Sequence, residues 1–358
     1  MREAFAAVAL AVLAPGAFAA PTAEELEACV QRFPGDRAAE RKACFEALVS
    51  PRPPAPAVVV PAARPPPATD LAPGKEASAS QFRRLWGDAK ERSAWHAGEY
   101  HGNYFLPAFR AKNPNLAPVR AGEGASPLLL PTERQATEAK FQFSFKGHLW
   151  PKDDRGRHDL WFGYTQVSHW QLWNGDASRP FRESSYEPEL LYTYEPPGLD
   201  WAGWRVGHFG LSLNHNSNGQ GGELSRSWNR AIAFVRAEKG ATLVTLRGWS
   251  RLRENGIDDN PDIEDYYGRA DLQVSHAFAN GVQLSALGRH SLRSGTRSRG
   301  AIQLDLSAPL CRQAWPSWLC VDSLRAYVQG YHGYAESLID YNHKDSYLGI
   351  GLSIGESR

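Results

Sequence analysis

The 358-residue chain lacks an excess of either charge: 40 Lys and Arg stand against 39 Asp and Glu, a formal net charge of +1. That balance gives no support to nucleic-acid binding, which a basic stripe would carry. It also lacks any apolar run after residue 20 that approaches the roughly 18–20 residues of a membrane helix. A helical membrane protein is therefore excluded. Met is nearly absent, with one residue, and Cys is scarce, with four. Between Cys29 and Cys44 there is no other Cys or His, which argues against a metal site there. A disulfide clamping a small helical hairpin is the simplest reading of that pair. The low mean hydropathy, −0.47, does not exclude a membrane barrel. In such a barrel lipid-facing and lumen-facing residues alternate, so the average cancels.

Aromatic residues are plentiful, with 12 Trp, 13 Tyr and 15 Phe. Arg2, the apolar run Phe5–Leu13 and the small-x-small Ala17-Phe18-Ala19 read as a secretory signal over residues 1–19. Export leads to an oxidising compartment, where the cysteines can pair. Residues 20–50 read as a small helical, Cys-containing segment. Residues 51–80 are rich in Pro and Ala, including Pro51, Pro53, Pro54, Pro56 and Pro61, and read as a stiff linker. Together they form a periplasmic extension ahead of the main domain, 81–358. A docking module is the alternative for this extension.

Within the main domain the pattern has period two. Phe141, Phe143 and Phe145 alternate with polar neighbours, as do Leu211 and Leu213, Ile302, Leu304 and Leu306, and Leu348, Ile350, Leu352 and Ile354. Twelve candidate strands follow: 98–109, 138–150, 158–173, 187–197, 203–219, 226–240, 241–252, 266–280, 282–292, 300–309, 322–336 and 344–355. An even count suits a closed single-chain barrel, and several strands match the ~9–11 residues of tilted spanning strands. Trp170, Trp173, Trp201, Trp204, Trp315 and Trp318 fall at strand ends, where interfacial girdles lie. Cys311 and Cys320 flank a loop that a disulfide would close. The expected fold is all-β, a 12-stranded antiparallel transmembrane β-barrel. A large soluble sandwich is the alternative.

One stretch carries chemistry: Asn214-His215-Asn216-Ser217-Asn218-Gly219, followed by Ser225-Arg226-Ser227-Trp228-Asn229-Arg230. His215 and Ser217 leave the same face of a strand. Asn229 lies far enough on to return on the neighbouring antiparallel strand. Serine hydrolysis needs a hydroxyl, an imidazole to take its proton, and a group that holds the imidazole tautomer. Ser217, His215 and Asn229 can fill those roles, and Gly219 lets a backbone N–H approach an oxyanion. A lone His-x-Ser is usually incidental, but parity changes that weighting. His215 and Ser217 continue the face of Leu211 and Leu213, and polar groups on a lipid-facing wall are costly without a reason.

With these motifs the sequence resembles the outer-membrane phospholipase A family. The resemblance runs roughly from Lys140 to Ile354. It also includes Tyr164-Thr165-Gln166, Pro180-Phe181-Arg182-Glu183, Tyr186-Glu187-Pro188, Ala202-Gly203-Trp204, Asp258-Asp259-Asn260-Pro261-Asp262 and Glu336-Ser337-Leu338-Ile339-Asp340-Tyr341-Asn342. It implies a bacterial outer-membrane barrel that depends on calcium, is activated by homodimerisation, and hydrolyses both acyl esters of phospholipids and also lysophospholipids. Carried over by position, Ser217 is the nucleophile, His215 the base, Asn229 the orienting residue and Gly219 the oxyanion glycine. Ser225 and the Gln220 carbonyl match calcium ligands, and Ser178 matches one supplied by the second subunit. Asp259 matches a second calcium site, and Gln166 matches a polar residue of the dimer interface. The chain departs from the family in three places. Gly222 stands where the family has an acidic residue, with Glu223 beside it. The chain ends Gly355-Glu356-Ser357-Arg358 rather than on an aromatic, and the cysteine-bearing head and proline linker are additions.

Overall fold

The computed structural model describes residues 97–118, 134–149, 157–253, 258–310 and 323–355, with Trp86 and parts of 28–44. The chain divides into two compact units, Met1–Asp70 and Leu71–Arg358. In the first, the described residues between 28 and 44 are helical apart from Arg37, and Cys44 is disulfide-bonded. The signal segment, the proline-rich stretch, Cys29, Cys311, Cys320, Trp315 and Trp318 lie outside the described residues.

The second unit is built from strands. They are β1 (Ala97–Glu99), β2 (Asn103–Ala111), β3 (Thr137–His148), β4 (His158–Trp170), β5 (Phe181–Tyr194), β6 (Asp200–Trp201) and β7 (Trp204–Ser217). After them come β8 (Ser227–Lys239), β9 (Thr242–Leu252), β10 (Ala270–Ala277), β11 (Gln283–His290), β12 (Gly300–Pro309), β13 (Leu324–Tyr334) and β14 (Lys344–Ile354). Each main strand pairs antiparallel with the next, and β14 closes on β2 through Tyr347↔Ala111 to Ile354↔Asn103. The result is a closed 12-stranded barrel of β2–β5 and β7–β14. β6 adds a short arm to the start of β7, and β1 lengthens the β2 edge against β3.

Most strand limits lie within three residues of the periodic reading, and three strands depart further at their starts. The first strand is broken between β1 and β2, where Gly102 has φ +94 and the Tyr100 hydroxyl donates to Glu189 at 3.0 Å. β5 begins six residues before 187, because Phe181–Tyr186 also pairs with β4, with a bulge at Arg182. The strand expected from 266 starts at Ala270, since Ile263–Tyr267 is a short helix that ends at Gly268, φ +106.

Burial is inverted relative to a soluble fold. Leu211, Leu213, Ile302, Leu304, Leu348 and Ile350 are exposed on the outer wall, whereas Glu138, Lys140, Glu189, Arg230, Asp271 and Gln329 are buried inside. That arrangement suits lipid outside and a polar lumen within. Paired charges occupy part of the lumen, beside a cavity of about 280 Å³ lined by Tyr100, Arg236, Arg247, Asp305 and Arg325. Lys140 meets Glu336 at 2.7 Å, Arg182 meets Glu138 at 2.8 Å and Asp340 at 2.9 Å, and Arg247 donates to Asp271 at 2.9 Å. Pairing is what makes such burial tolerable. Trp173 and Trp201, which are 56% and 77% exposed, sit at opposite ends of the wall as interfacial aromatics do.

Candidate active site

β7 and β8 are adjacent, and their register sets His215 opposite Asn229 and Ser217 opposite Ser227. Alternation along β7 turns Asn214 and Asn216 into the lumen, both 3% exposed, and leaves His215 and Ser217 half-buried on the outer wall. His215 Nδ1 lies 2.8 Å from Asn229 Oδ1. An amide oxygen only accepts, so Nδ1 carries the proton and Nε2 is left as the basic nitrogen.

The lumen side holds this pair of strands rigid. Arg230 Nε donates to Asn214 Oδ1 at 3.0 Å, and Asn214 Nδ2 donates to Glu187 at 2.9 Å and to Glu189 at 3.3 Å. The Arg230 guanidinium stacks 4.4 Å from the ring of fully buried Trp228. On the other flank, β5 pairs with β7 at Tyr186↔Ser217 and Glu189↔Asn214, but skips Glu187 and Pro188. Proline has no N–H for the ladder, so the gap falls beside His215 and Asn216.

The loop 218–226 follows the nucleophile strand. Gly219 has φ +63, and a Cβ there would sit 3.1 Å from the Tyr186 ring, so only glycine fits without strain. Ser225 lies at the end of a short 3-10 turn, with its N–H donating to the Gly222 carbonyl at 3.1 Å. Its hydroxyl makes no hydrogen bond among the described residues. Its carbonyl accepts from Arg226 Nη1 at 2.7 Å. Gln220 is exposed beside it. This donor set consists of a hydroxyl and main-chain carbonyls, all hard oxygens, and fits calcium rather than a softer metal. The free Ser225 hydroxyl supports that fit. Among the described residues no group of three or more His, Cys, Asp or Glu gathers as a metal site.

The other residues singled out from the sequence lie apart from this hairpin. Ser178 is exposed in the β4–β5 loop with φ 60, beside Arg179 at φ 52, and its N–H donates to Gly175 at 3.0 Å. Gln166 lies on the outer wall, accepting from Tyr164 at 3.1 Å and donating to Ser168 at 3.1 Å. Its β5 partner Tyr186 is in turn the β5 partner of Ser217, so one cross-strand row joins Gln166 to the nucleophile position. Asp259 is half-buried in the β9–β10 loop. Its neighbours are already engaged: Asp258 accepts from Arg251 at 2.8 Å, and Asp262 accepts from Tyr341 at 2.7 Å.

Several supporting residues escaped the sequence reading. Asn260 is fully buried, and its side-chain oxygen accepts the Ser227 N–H at 3.0 Å, tying the β9–β10 loop to the start of β8. Arg226 is buried under the loop with its guanidinium 5.8 Å from the Tyr341 ring. Burial, then the hydrogen bond to Asp262, pushes the Tyr341 hydroxyl well above its ordinary range. All three sit inside motifs recognisable in the sequence, but nothing in their spacing revealed which faces they would share.

The closed antiparallel ladder, apolar wall and charged lumen define a transmembrane β-barrel protein, with a His–Asn pair and a serine on its outer wall. The phospholipase A1 family model matches residues 84–354, and the chain belongs to that family. The phospholipase A1 of Klebsiella pneumoniae is 34% identical over 257 residues, 72% of this chain and 82% of its own. A relative from Neisseria meningitidis is 36% identical over 262 residues, 72% of this chain and 65% of its own length. Among solved structures, the outer membrane phospholipase A from Escherichia coli matches with a TM-score of 0.63 at 28% identity, over 78% of this chain and all, 100%, of that one. A Salmonella typhi outer membrane phospholipase, solved as a dimer with bound calcium, matches with a TM-score of 0.62 at 29% identity, over 78% and 98%.

Proposed function

We propose that this protein is a calcium-dependent phospholipase A of the bacterial outer membrane, reached by export, and that it hydrolyses the sn-1 and sn-2 acyl esters of phospholipids and lysophospholipids. The observation that carries the reading is the His215 Nδ1–Asn229 Oδ1 contact of 2.8 Å on the outer wall, two residues from Ser217. A hydrolase for soluble esters has no use for a site facing acyl chains, whereas a lipid ester lying in the membrane meets it directly.

In this mechanism the Ser217 hydroxyl attacks the ester carbonyl carbon while His215 Nε2 takes its proton. Asn229 holds the ring through Nδ1 so that Nε2 faces Ser217. The Gly219 N–H donates to the oxyanion as it forms. His215 then returns the proton to the departing glycerol oxygen as the ester C–O bond breaks. A water molecule, deprotonated by His215, attacks the acyl carbon; the bond to Ser217 Oγ breaks, His215 returns the proton to that oxygen, and the fatty acid leaves. The Ser225 hydroxyl and the Gln220 carbonyl would hold calcium, and a bound calcium would supply positive charge to stabilise the developing oxyanion. Ser178 from a second copy completes the set, which supports activation by homodimerisation with Gln166 at the interface. Asp259 is the candidate for a further calcium.

The test is phospholipid hydrolysis in detergent micelles, with and without a chelator, for wild type beside Ser217→Ala. The variant should lose hydrolysis while keeping the heat-modifiable gel mobility of a folded barrel, and chelation should silence the wild type. Full activity in Ser217→Ala would leave a barrel whose His and Ser are incidental.

A further inference from the structure

Between the proposed nucleophile and the proposed oxyanion glycine stands Asn218, a residue to which neither the resemblance nor the mechanism gives a task. It is 3% exposed, so its side chain faces away from the outer wall that carries Ser217. Its main-chain N–H donates to the Arg226 carbonyl at 3.0 Å, extending the β7–β8 ladder one step beyond Ser217↔Ser227. Residues 219–225 thus form a loop whose neck is the 218–226 pair.

The Asn218 side chain fastens both arms of that loop. Its Oδ1 accepts from the Arg226 N–H at 3.0 Å and from the Gln220 N–H at 3.3 Å. Its Nδ2 donates to the Leu224 carbonyl at 2.8 Å. The oxygen faces two donors and the nitrogen faces a carbonyl, so the orientation of the amide is fixed by its partners. Gln220 and Leu224–Arg226 are the two ends of the segment that offers the Gln220 carbonyl and the Ser225 hydroxyl. Arg226 Nη1 adds bonds to the Glu223 carbonyl at 2.8 Å and the Ser225 carbonyl at 2.7 Å, both on the second arm. The tip of the loop is open to solvent: Gly219, Gln220, Gly221, Gly222 and Glu223 are exposed. Gly221 and Gly222 have open space where a Cβ would point.

We infer that Asn218 is a positioning residue that presets the calcium loop, fastening the segment that carries the Gln220 carbonyl to the segment that carries the Ser225 hydroxyl. This inference rests on the calcium reading given above. An amide is the side chain the neck requires. It must accept two N–H groups and donate to one carbonyl at once, which neither a carboxylate nor a hydroxyl does in this geometry. A preset loop lowers the ordering cost of binding a ligand. Loosening it should therefore weaken calcium affinity first and leave the chemistry at Ser217 accessible at high calcium.

The experiment is direct calcium titration of the refolded, detergent-solubilised full chain by calorimetry, paired with the calcium dependence of hydrolysis, for wild type, Asn218→Ala and Asn218→Asp. Gel mobility checks that each barrel is folded. Asn218→Ala should raise the calcium concentration for half-saturation about tenfold or more in both readouts, with much of the rate recovered at saturating calcium. Asn218→Asp keeps the acceptors for the Gln220 and Arg226 N–H groups but sets an oxygen against the Leu224 carbonyl, so its shift should be smaller. Wild-type calcium affinity in both variants would overturn the positioning role and leave the calcium reading standing. A wild type that neither binds calcium nor needs it would overturn both.

Discussion

Among the individual side chains, the proposed active site rests on an amide where many serine hydrolases use a carboxylate. Asn229 orients the His215 ring through a neutral 2.8 Å contact and adds no charge to stabilise imidazolium. The two variants should therefore differ in size. His215→Ala removes the base and should lower kcat by roughly the 10²–10⁴-fold that general-base catalysis contributes. Asn229→Ala leaves the base in place but free to turn, so its loss should be distinctly smaller. Steady-state kinetics on one phospholipid at saturating calcium separates the two. Equal losses would mean that Asn229 does more than orient.

At the level of elements, the β13–β14 loop acts as an inward cap on the site end of the barrel. Ser337, Leu338, Ile339, Asp340 and Tyr341 are all buried, and Tyr341 reaches both Asp262 of the β9–β10 loop and Arg226 of the β7–β8 loop. Glu336 anchors the cap. Burial acts to raise its carboxyl pKa, but His169 at 2.9 Å and Lys140 at 2.7 Å outweigh that and hold it well below the usual range. A depressed carboxylate stabilises the fold above its unfolded value, about 4.3, and that contribution is lost as pH falls through the lower folded value. The barrel should therefore lose stability as pH drops below about 4.3, and Glu336→Gln should flatten this slope. Thermal unfolding followed by gel mobility across that range measures it. An unchanged slope in the variant would assign the acid sensitivity to other carboxylates. Among strands, β5 shows the limit of pattern reading most plainly. Its first part, Phe181–Tyr186, lacks a run of apolar residues at period two and pairs with β4 all the same. Arg182 in fact faces Glu138 and Asp340 in the lumen, a partner set drawn from β3 and the cap.

Taken whole, the molecule presents half of the proposed calcium set on one hairpin, while Ser178 sits in a separate loop. If a second copy supplies Ser178, specific activity should rise with the protein-to-detergent ratio and fall to background on chelation. Sedimentation in parallel should show the dimer fraction rising over the same range. Full activity in dilute, calcium-free micelles would mean that a single barrel carries a complete site.

The sequence by itself determined the all-β character, because burying one face of each strand imposes period-two alternation, and that alternation is local; closure of β14 on β2 was seen only in the structure. It likewise determined the face shared by His215 and Ser217, since parity along one strand needs no partner. Only the tertiary structure decided what depends on residues far apart in the chain. It set His215 opposite Asn229 by inter-strand register, placed Asn260 against Ser227, and turned Asn218 into the neck of a loop. Each of these depends on how the backbone folds back, locally for Asn218 and between separate strands or loops for the others. A buried amide carries no periodic signature, because its hydrogen-bond partners are chosen by where other backbones pass.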